Sequence, residues 1–419
     1  MDQKFLGTFV YFPLMKKILL TTFVALMGLT ACVYEPEQFI SKETGNENTS
    51  GETSVGTIFA VNDGFQICNP SISQDMDKYP GAMLWLNFSG SLGVTSDDSS
   101  YNVKKAGEHD RLTVSDSANK VLWFTKIDTA NGDCEFQDPE WSTKGEFIVS
   151  LRAYDKTGGK CKQENRDYGI IAIRMSDKKR FTFYSKNISE TATPHLWIDP
   201  SSTVDTSADA SIIEGFFGTK NVRLTYVDST AQNILYVDFA GVDSDEDLEK
   251  ALANPKKMAA PADVKDGYIE SQLFSPDGKF VVYNVIENTM TSWNAYVQEV
   301  SETSSPIMIE KMNGMISAPA QPHWFSYNGR LFVSWAEFPD GETMTGQQKS
   351  LLDKSMHDGS NGRTAMREVM LMPGAPSDLA VEWVGDVRQV SPVPTIGGRS
   401  SDGRFLATGD SKGFLVKLP

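Results

Sequence analysis

The chain is poor in the side chains that most often carry metal-dependent or nucleophilic chemistry. Only four histidines and four cysteines occur in 419 residues, and no Cys-x-x-Cys motif is present. Because structural zinc sites combine cysteine and histidine at short spacing, we expect no metal site, and no cofactor either. We also expect no nucleophile elbow of the kind found in α/β-hydrolases.

Positive charge and long apolar runs are scarce as well. The chain has 39 basic and 55 acidic residues, which gives a formal net charge of -16. This excess of acid excludes nucleic acid as a partner and disfavours close contact with anionic lipid. The apolar run at 18–29 is too short to span a bilayer comfortably, so membrane attachment would need another means.

The apolar run fits a secretion signal. Met15 and two lysines precede it, and the sequence LTAC at 29–32 follows it. This pattern resembles a bacterial lipobox, which implies cleavage between Ala31 and Cys32 and lipid on the Cys32 thiol and amine. We therefore assign 1–31 to a signal peptide whose true start is Met15. The alternatives are an uncleaved anchor helix and an ordinary secretory signal.

The segment after the signal predicts a tether. Residues 32–55 are polar and contain few apolar side chains, which favours a flexible, lipidated linker. Val33 stands where an aspartate would favour retention in the inner membrane. We therefore expect an envelope protein held at the outer membrane by its N-terminal lipid, with the periplasmic or surface face left open.

A short turn motif recurs through the rest of the chain. The sequence SPDG at 275–278 is followed by a charged residue and by the apolar run FVVY at 280–283. Serine and aspartate stabilise such a turn by hydrogen bonds, and glycine adopts its left-handed conformation. Related sequences are STKG at 142–145, SYNG at 326–329 and SSDG at 400–403.

The repeats predict an all-β fold built from small sheets. Two weaker copies lie near Gly81 and Pro194, which gives six units of roughly 50 to 75 residues, enough for four short strands each. Because a single sheet of this size cannot bury both of its faces, the sheets must pack around a common axis. We therefore predict a six-bladed β-propeller with four-stranded antiparallel blades over residues 56–419.

The repeats also resemble a known family. The WD-like repeats of TolB-type propellers carry a Pro-x-Trp-Ser-Pro-Asp-Gly-Lys signature at each blade. Residues 275–283 of this chain match it closely, and 139–149 match it except that Thr143 and Lys144 stand in place of Pro-Asp. The segments 322–333 and 400–407 match in part. The resemblance implies a TolB-like propeller, and it leaves the function open because propellers bind, scaffold and catalyse.

The last repeat is short of one strand. After Gly403 the sequence has room for strands at 405–408 and 414–418. The segment 56–61 has strand composition and lies at the other end of the predicted domain. We predict that this N-terminal strand pairs with the last blade and covers its open edge.

Three cysteines remain if Cys32 carries lipid. Cys134 and Cys161 flank one predicted hairpin, and in an oxidising envelope they are the pair that would form a disulfide. The alternative is that Cys68, Cys134 and Cys161 are all free or buried thiols.

The candidate binding residues lie at equivalent places in two repeats. His195 and Trp197 follow Pro194, while His323 and Trp324 follow Pro322. Near a channel mouth these side chains could bind a ligand or carry a proton. The alternative is that they are repeat positions whose polar aromatic side chains bond a neighbouring blade.

Two classes of function remain open. The first is a non-catalytic envelope lipoprotein whose propeller binds a protein or a polysaccharide, and the absence of a catalytic constellation favours it over an enzyme. The second is a carbohydrate-active enzyme, a polysaccharide lyase or glycosidase, that uses paired carboxylates in the propeller funnel.

The lipid anchor gives the first testable prediction. Cys32→Ala removes the only thiol that the lipobox offers, so the protein should move from the membrane fraction to the soluble fraction. Mass spectrometry of the wild-type N-terminal peptide should find acyl groups on Cys32, and Cys68→Ala should leave them in place. A mature chain in which Cys32 is an unmodified thiol or is part of a disulfide contradicts the anchor.

Overall fold

The structure is a computed structural model of the chain. It describes residues 51–53, 56–88, 92–102, 106–157, 161–199, 201, 212–287, 293–310, 320–337, 363–391, 395, 397–409 and 413–418. The predicted signal peptide, Cys32 and the tether up to residue 50 lie outside these residues, so those assignments stay predictions.

The described residues form six four-stranded antiparallel sheets, which we number in chain order. Sheet 1 contains β3 (Ile67–Ile72), β4 (Met83–Asn87), β5 (Arg111–Ser115) and β6 (Val121–Lys126). Sheet 2 contains β7 (Asp133–Trp141), β8 (Phe147–Asp155), β9 (Arg166–Arg174) and β10 (Arg180–Phe183). Sheet 3 contains β11 (His195–Ile198), β12 (Val222–Val227), β13 (Ile234–Asp238) and β14 (Lys256–Lys257).

The remaining sheets follow the same order. Sheet 4 contains β15 (Gly267–Phe274), β16 (Phe280–Glu287), β17 (Trp293–Glu299) and β18 (Ile307–Met308). Sheet 5 contains β19 (Ala320–Tyr327), β20 (Arg330–Glu337), β21 (Arg363–Leu371) and β22 (Val381–Ser391). Sheet 6 contains β23 (Phe405–Gly409) and β24 (Gly413–Lys417), completed by β2 (Gly56–Ala60) and β1 (Gly51–Thr53). The predicted all-β class is confirmed, and six four-stranded sheets match a six-bladed propeller.

The turn motif has the geometry that the sequence predicts. Ser275 Oγ accepts a hydrogen bond from the Phe280 amide at 3.0 Å and donates one to Asp277 Oδ1 at 2.5 Å. Gly278 has φ = 68° and lies against Trp197 of sheet 3, where a Cβ would come within 2.3 Å of the indole. Glycine is therefore required both by the backbone and by the contact between sheets. The left-handed conformation recurs at Gly81, Gly145, Gly329 and Gly403.

The weak copy near Pro194 is the exception to this pattern. In sheet 3 the first two strands are joined by the long connection 199–221 instead of a tight turn, and its described part includes α1 (Ile212–Phe217). A second helix, α2 (Asp245–Ala253), begins at Ser244, whose Oγ accepts a hydrogen bond from the Asp247 amide at 3.2 Å. Short 3-10 turns lie at Val61–Gly64, Thr129–Asn131, Gln163–Asn165 and Ala262–Asp266.

The N-terminal strand pairs with the last repeat, as predicted. β2 is antiparallel to β24, with Ile58 opposite Val416, and both side chains pack on Leu406. The structure extends this pairing by one more strand, because β1 pairs with β2. Residues 51–53, which the sequence assigned to the flexible tether, therefore belong to the outer edge of sheet 6.

The core lies between successive sheets. Val149 and Ile170 of sheet 2 pack with Leu196 of sheet 3, and Leu415 of sheet 6 packs with Trp85 of sheet 1. Comparable clusters lie between sheets 1 and 2, sheets 3 and 4, and sheets 4 and 5. Burying both faces of every sheet in this way supplies most of the favourable free energy of folding.

Sheets 5 and 6 meet through a different kind of contact, and sheet 6 also contacts sheet 1 through its backbone. Arg399 precedes β23 and bridges to Leu406 of that strand, and its guanidinium lies 5.2 Å from the centre of the Phe325 ring in sheet 5. On the other side, the Ile72 amide of β3 donates a hydrogen bond to the Gly397 carbonyl at 2.9 Å. Each sheet thus contacts the next one, and the sixth contacts the first. Neither helix among these ranges is long and apolar enough to cross a bilayer.

The N-terminal strand gives the second prediction. The amides of 56–60 should exchange with solvent as slowly as those of β24, because they lie in one ladder. Ile58→Ala should lower the free energy of unfolding by about 2–4 kcal/mol, measured by urea denaturation. Lys417→Ala changes an exposed side chain in the same ladder and should have little effect. Amides at 56–60 that exchange as fast as an unstructured tether refute the pairing.

Candidate functional site

The first strands of four sheets share a β-bulge. The ladder shifts between Cys68 and Ser71 in β3, and corresponding shifts occur in β7, β15 and β19. Each bulge holds one residue other than glycine with positive φ: Asn69, Asp138, Ser271 and Gln321. Because a bulge leaves its extra residue out of the ladder and redirects nearby side chains, polar groups can be placed here without disrupting the sheet.

Two carboxyl groups on β7 bond to the bulge of sheet 1. Asn69 Nδ2 donates a hydrogen bond to Asp138 Oδ1 at 2.5 Å. Ser71 Oγ donates one to Glu140 Oε1, which also accepts the Trp141 amide at 3.0 Å. These bonds orient the Asp138 and Glu140 side chains against sheet 1.

A third carboxyl group comes from sheet 4. Glu270 lies on β15 beside the bulge, where burial and then the negative charge of Asp138 raise its pKa. The interaction with Asp138 links the first strands of sheets 2 and 4, which are not consecutive in the chain. We call Asp138, Glu140 and Glu270 the axial carboxyl cluster, after the axis of the six-bladed propeller that the sheets match.

The environment of the cluster favours the protonated acids. Burial raises the pKa of Asp138 to about 7, and the hydrogen bond from Asn69 opposes the rise. Burial likewise raises the pKa of Glu140 to about 7, against the hydrogen bonds from Ser71 and the Trp141 amide. Burial and then the Asp138 charge raise the pKa of Glu270 to about 7. Desolvation is the main cause in each case.

β7, the first strand of sheet 2, carries Asp138 and Glu140. Buried charged side chains hold the beginning of this strand in place. Asp133 is 2% exposed and accepts hydrogen bonds from Arg152 Nε and, at 2.9 Å, from Arg180 Nη1. Next to it, Cys134 and Cys161 form a disulfide with their Cα atoms 5.4 Å apart. This is the pair that the sequence suggested, and within the described ranges no cysteine, Cys68 included, is a free thiol.

The two candidate histidines are buried where neighbouring sheets pack against each other. His195 is 5% exposed, and its Nδ1 accepts a hydrogen bond from the Phe274 amide of sheet 4 at 3.0 Å. His323 is 8% exposed, donates from Nδ1 to the Gln321 carbonyl at 2.9 Å and packs on Gly398 of sheet 6. Burial lowers the pKa of His195 to about 3 and that of His323 to about 4. Both are therefore neutral near pH 7, and their contacts agree with the packing alternative.

The candidate tryptophans also join sheets. Trp324 is 7% exposed and donates from Nε1 to the Leu273 carbonyl of sheet 4 at 2.9 Å. Trp197 is partly buried and donates to the Pro276 carbonyl at 2.9 Å, with the Arg223 guanidinium 5.4 Å from its ring centre. Both indole N–H groups are therefore used between sheets, as the packing alternative expects. A binding role for His195, Trp197, His323 and Trp324 stays a prediction.

We expected no hydrolase nucleophile elbow, but the chain does contain one match to its sequence pattern. The sequence GDSKG at 409–413 does match Gly-x-Ser-x-Gly. However, Gly409 ends β23 and Gly413 begins β24, and the two are paired across the hairpin. A nucleophile elbow joins a strand to a helix, whereas Gly409 and Gly413 belong to two paired strands, so this match is not such an elbow.

The axial carboxyl cluster is the feature that the sequence did not single out. Asp138 and Glu140 were visible only as residues flanking Pro139 in the repeat, and Glu270 only as the residue before Ser271. In the part of the chain that the structure describes, no three His, Cys, Asp or Glu side chains have an arrangement suited to a metal ion. The cluster can instead exchange protons near neutral pH and accept hydrogen bonds from hydroxyl or amino groups.

No protein-family model matches the chain, and no curated protein matches it. Similar solved structures include a putative TolB from Agrobacterium tumefaciens, 13% identical over 86% of this chain and 97% of that one, with a TM-score of 0.39. They also include the β-propeller domain of the Trilobed protease from Pyrococcus furiosus (12%, 84% and 88%, TM-score 0.31) and an oligogalacturonate lyase from Vibrio parahaemolyticus (10%, 85% and 79%, TM-score 0.38). At these TM-scores the similarities say nothing about the activity of this chain.

The cluster predicts a pH-dependent stability. Because the pKa values of Asp138, Glu140 and Glu270 are raised on folding, the folded state holds protons that the unfolded state has released. Their stabilisation is complete below the ordinary carboxyl pKa and is lost as the pH rises through about 7. The buried histidines act oppositely, but they are neutral in both states above their ordinary pKa of about 6.5.

The third prediction isolates this effect above that pH. From about pH 6.5 to 8 the free energy of unfolding of wild type should decrease. In Glu270→Gln this decrease should be smaller by about 1 kcal/mol. Urea denaturation at several pH values measures it, and Glu246→Gln on an exposed site should leave the profile unchanged. Parallel profiles for wild type and Glu270→Gln contradict the raised pKa.

Proposed function

We propose that the protein is a lipid-anchored envelope protein, attached through Cys32, whose sheets form a closed TolB-like propeller that binds an envelope polysaccharide at the axis. The supporting observation is the axial carboxyl cluster. Its oxygens meet the side chains of Asn69 and Ser71 in a polar, partly buried site. Such groups match the hydroxyl and amino groups of sugars.

The distribution of apolar surface supports a polysaccharide over a protein partner. Protein interfaces depend on clustered aromatic and apolar anchors. Here Trp324 is buried and Trp197 is packed against sheet 4. Nine large apolar side chains of the described ranges are exposed. Four belong to sheet 5 and its β21–β22 hairpin, and the other five are spread over other sheets and connections: Tyr327, Met370, Met372 and Leu379, and Phe65, Leu122, Tyr184, Ile212 and Met308.

The charge of the cluster limits the class of polysaccharide that we expect to bind. Above about pH 7, where these three acids ionise, they repel a polymer of uronic acids, because like charges in a partly buried site are poorly screened. The formal net charge of the whole chain, -16, acts in the same direction. We therefore expect neutral or amino-substituted glycans to bind in preference to acidic ones.

A second function, cleavage of the bound glycan, is favoured by one specific observation. General acid–base catalysis works best when the acid or base has a pKa near the working pH. The pKa of each axial acid is raised to about 7. Glycoside hydrolysis uses two carboxyl groups that flank the scissile bond. Asp138 and Glu270 come from different sheets, sheet 2 and sheet 4.

The fourth prediction separates binding from cleavage. The full chain is tested on a glycan array and then with each bound glycan in solution, where affinity and chain length of the glycan are both measured. Glu270→Gln removes one charged acceptor and should weaken binding about 10-fold or more. Glu246→Gln, on the exposed face of α2, is the matched control.

The outcomes distinguish the two functions. Binding that is lost in Glu270→Gln without any shortening of the glycan supports the binding protein. Shortening by wild type that Glu270→Gln or Asp138→Asn abolishes identifies the enzyme. Failure to bind any glycan, together with recovery of a protein partner from detergent-solubilised envelopes, contradicts the polysaccharide proposal.

A further inference from the structure

The four β-bulges differ in the residue that lies opposite them on the second strand of the sheet. At each bulge two residues of the first strand oppose one residue of the second. In three sheets this opposing residue is a fully buried aromatic side chain: Trp85 in sheet 1, Tyr283 in sheet 4 and Trp335 in sheet 5. In sheet 2, whose bulge carries Asp138, the opposing residue is Ser150.

The three aromatic side chains direct their polar atoms away from the bulges. Each donates one hydrogen bond to a side chain of its own sheet: Trp85 Nε1 to Ser115 at 2.9 Å, Tyr283 Oη to Gln298 at 2.7 Å and Trp335 Nε1 to Glu337 at 2.9 Å. None of these acceptors lies on a first strand. The aromatic residues therefore support their bulges by packing.

Ser150 supports its bulge by a hydrogen bond instead. It is fully buried, and its Oγ donates to the Gln137 carbonyl at 2.6 Å. The Leu151 carbonyl lies 3.0 Å from the same oxygen, but a hydroxyl has one proton and the contact with Gln137 is the shorter one. The Gln137 carbonyl belongs to the planar peptide group that joins Gln137 to Asp138. The bond therefore restricts rotation about the N–Cα bond of Asp138.

This rotation decides where the Asp138 side chain points. Asp138 has φ = 44°, a left-handed conformation that costs free energy in a residue other than glycine. In this conformation its carboxyl group reaches sheet 1 and accepts the hydrogen bond from Asn69 at 2.5 Å. A turn of the peptide plane toward extended backbone would redirect the Cα–Cβ bond, and the carboxyl group would lose this contact.

The small size of Ser150 is also suited to this place. Ser150 is paired with Ile171, which packs with Ile148 in the apolar cluster between sheets 1 and 2. Because paired residues of a ladder point to the same face, the Ser150 side chain points toward sheet 1. Asp138 and Glu140 bond to sheet 1 from the same strand pair. A serine leaves room there that an aromatic ring would fill.

We propose that Ser150 is a positioning residue of the axial carboxyl cluster, whose hydroxyl holds the peptide group between Gln137 and Asp138 so that the Asp138 carboxyl group reaches sheet 1. Because Ser150 is fully buried, it acts through the backbone of β7 and not by contact with a ligand. Its importance for glycan binding rests on the function proposed above, whereas its effect on Asp138 does not.

The test measures the titration midpoint of the Asp138 carboxyl carbon by 13C NMR in the full chain. Ser150→Ala should lower this midpoint from about 7 by about one pH unit, because burial is the main cause of the raised pKa and a released carboxyl group gains water. Ser150→Thr keeps the hydroxyl and should retain the wild-type midpoint. Ser334→Ala is the matched control, since Ser334 is equally buried and its hydroxyl has no hydrogen-bond partner among the residues that the structure describes.

Glycan affinity is measured on the same variants, after thermal melting has established that each is folded. Ser150→Ala should weaken by about 5-fold the binding of a glycan that wild type binds, and Ser150→Thr should restore it. If wild type binds no glycan, the proposed function fails, and the Asp138 midpoint still decides the role of Ser150. Equal Asp138 midpoints in wild type and Ser150→Ala overturn the proposal, as does an equal decrease in Ser150→Thr or Ser334→Ala.

Discussion

The whole structure depends on the burial of apolar sheet faces. A four-stranded sheet with apolar side chains on both faces is stable only when another sheet covers each face. The sequence provides six such sheets, and each contacts the next through side chains such as Val149, Leu196 and Trp85. The first strands of four sheets also carry polar residues, among them Asn69, Asp138 and Gln321, where the ladder is interrupted. Bulges make room for such residues by taking them out of the ladder.

The polar residues at and beside the bulges include the acids of the candidate site. Asp138 and Glu140 each bond to sheet 1, while Glu270 approaches them from sheet 4. The same burial that stabilises the sheets removes water from these acids, and therefore raises their pKa values toward neutrality. On the function that we propose, stability and binding are coupled at one place: the acids offered to sugar hydroxyls near pH 7 are also acids whose ionisation weakens the fold.

Local sequence rules predicted the parts of the fold that depend on single residues. The left-handed glycines at 145, 278, 329 and 403, and the pairing of 56–60 with the last repeat, could be read from turn chemistry and from the missing strand. The connection after Asp199 could not, because an insertion replaced the turn residues of that repeat. The axial acids were missed for a different reason. Which side chains leave a ladder at a bulge depends on the register between two strands, and no residue type at 138, 140 or 270 signals that register.

The candidate histidines show why equivalent positions in a repeat are weak evidence for a binding site. His195 and His323 occupy corresponding places because both fill a gap between sheets, and their ring nitrogens are used by Phe274 and Gln321. The central claim is that the candidate site is instead formed by acids whose pKa values burial raises to about 7. A 13C NMR titration of the side-chain carboxyl carbons tests it most directly, with assignments from Asp138→Asn, Glu140→Gln and Glu270→Gln. The account predicts midpoints at about 7 for these three acids; midpoints near the ordinary carboxyl value of about 4 for all three would contradict it.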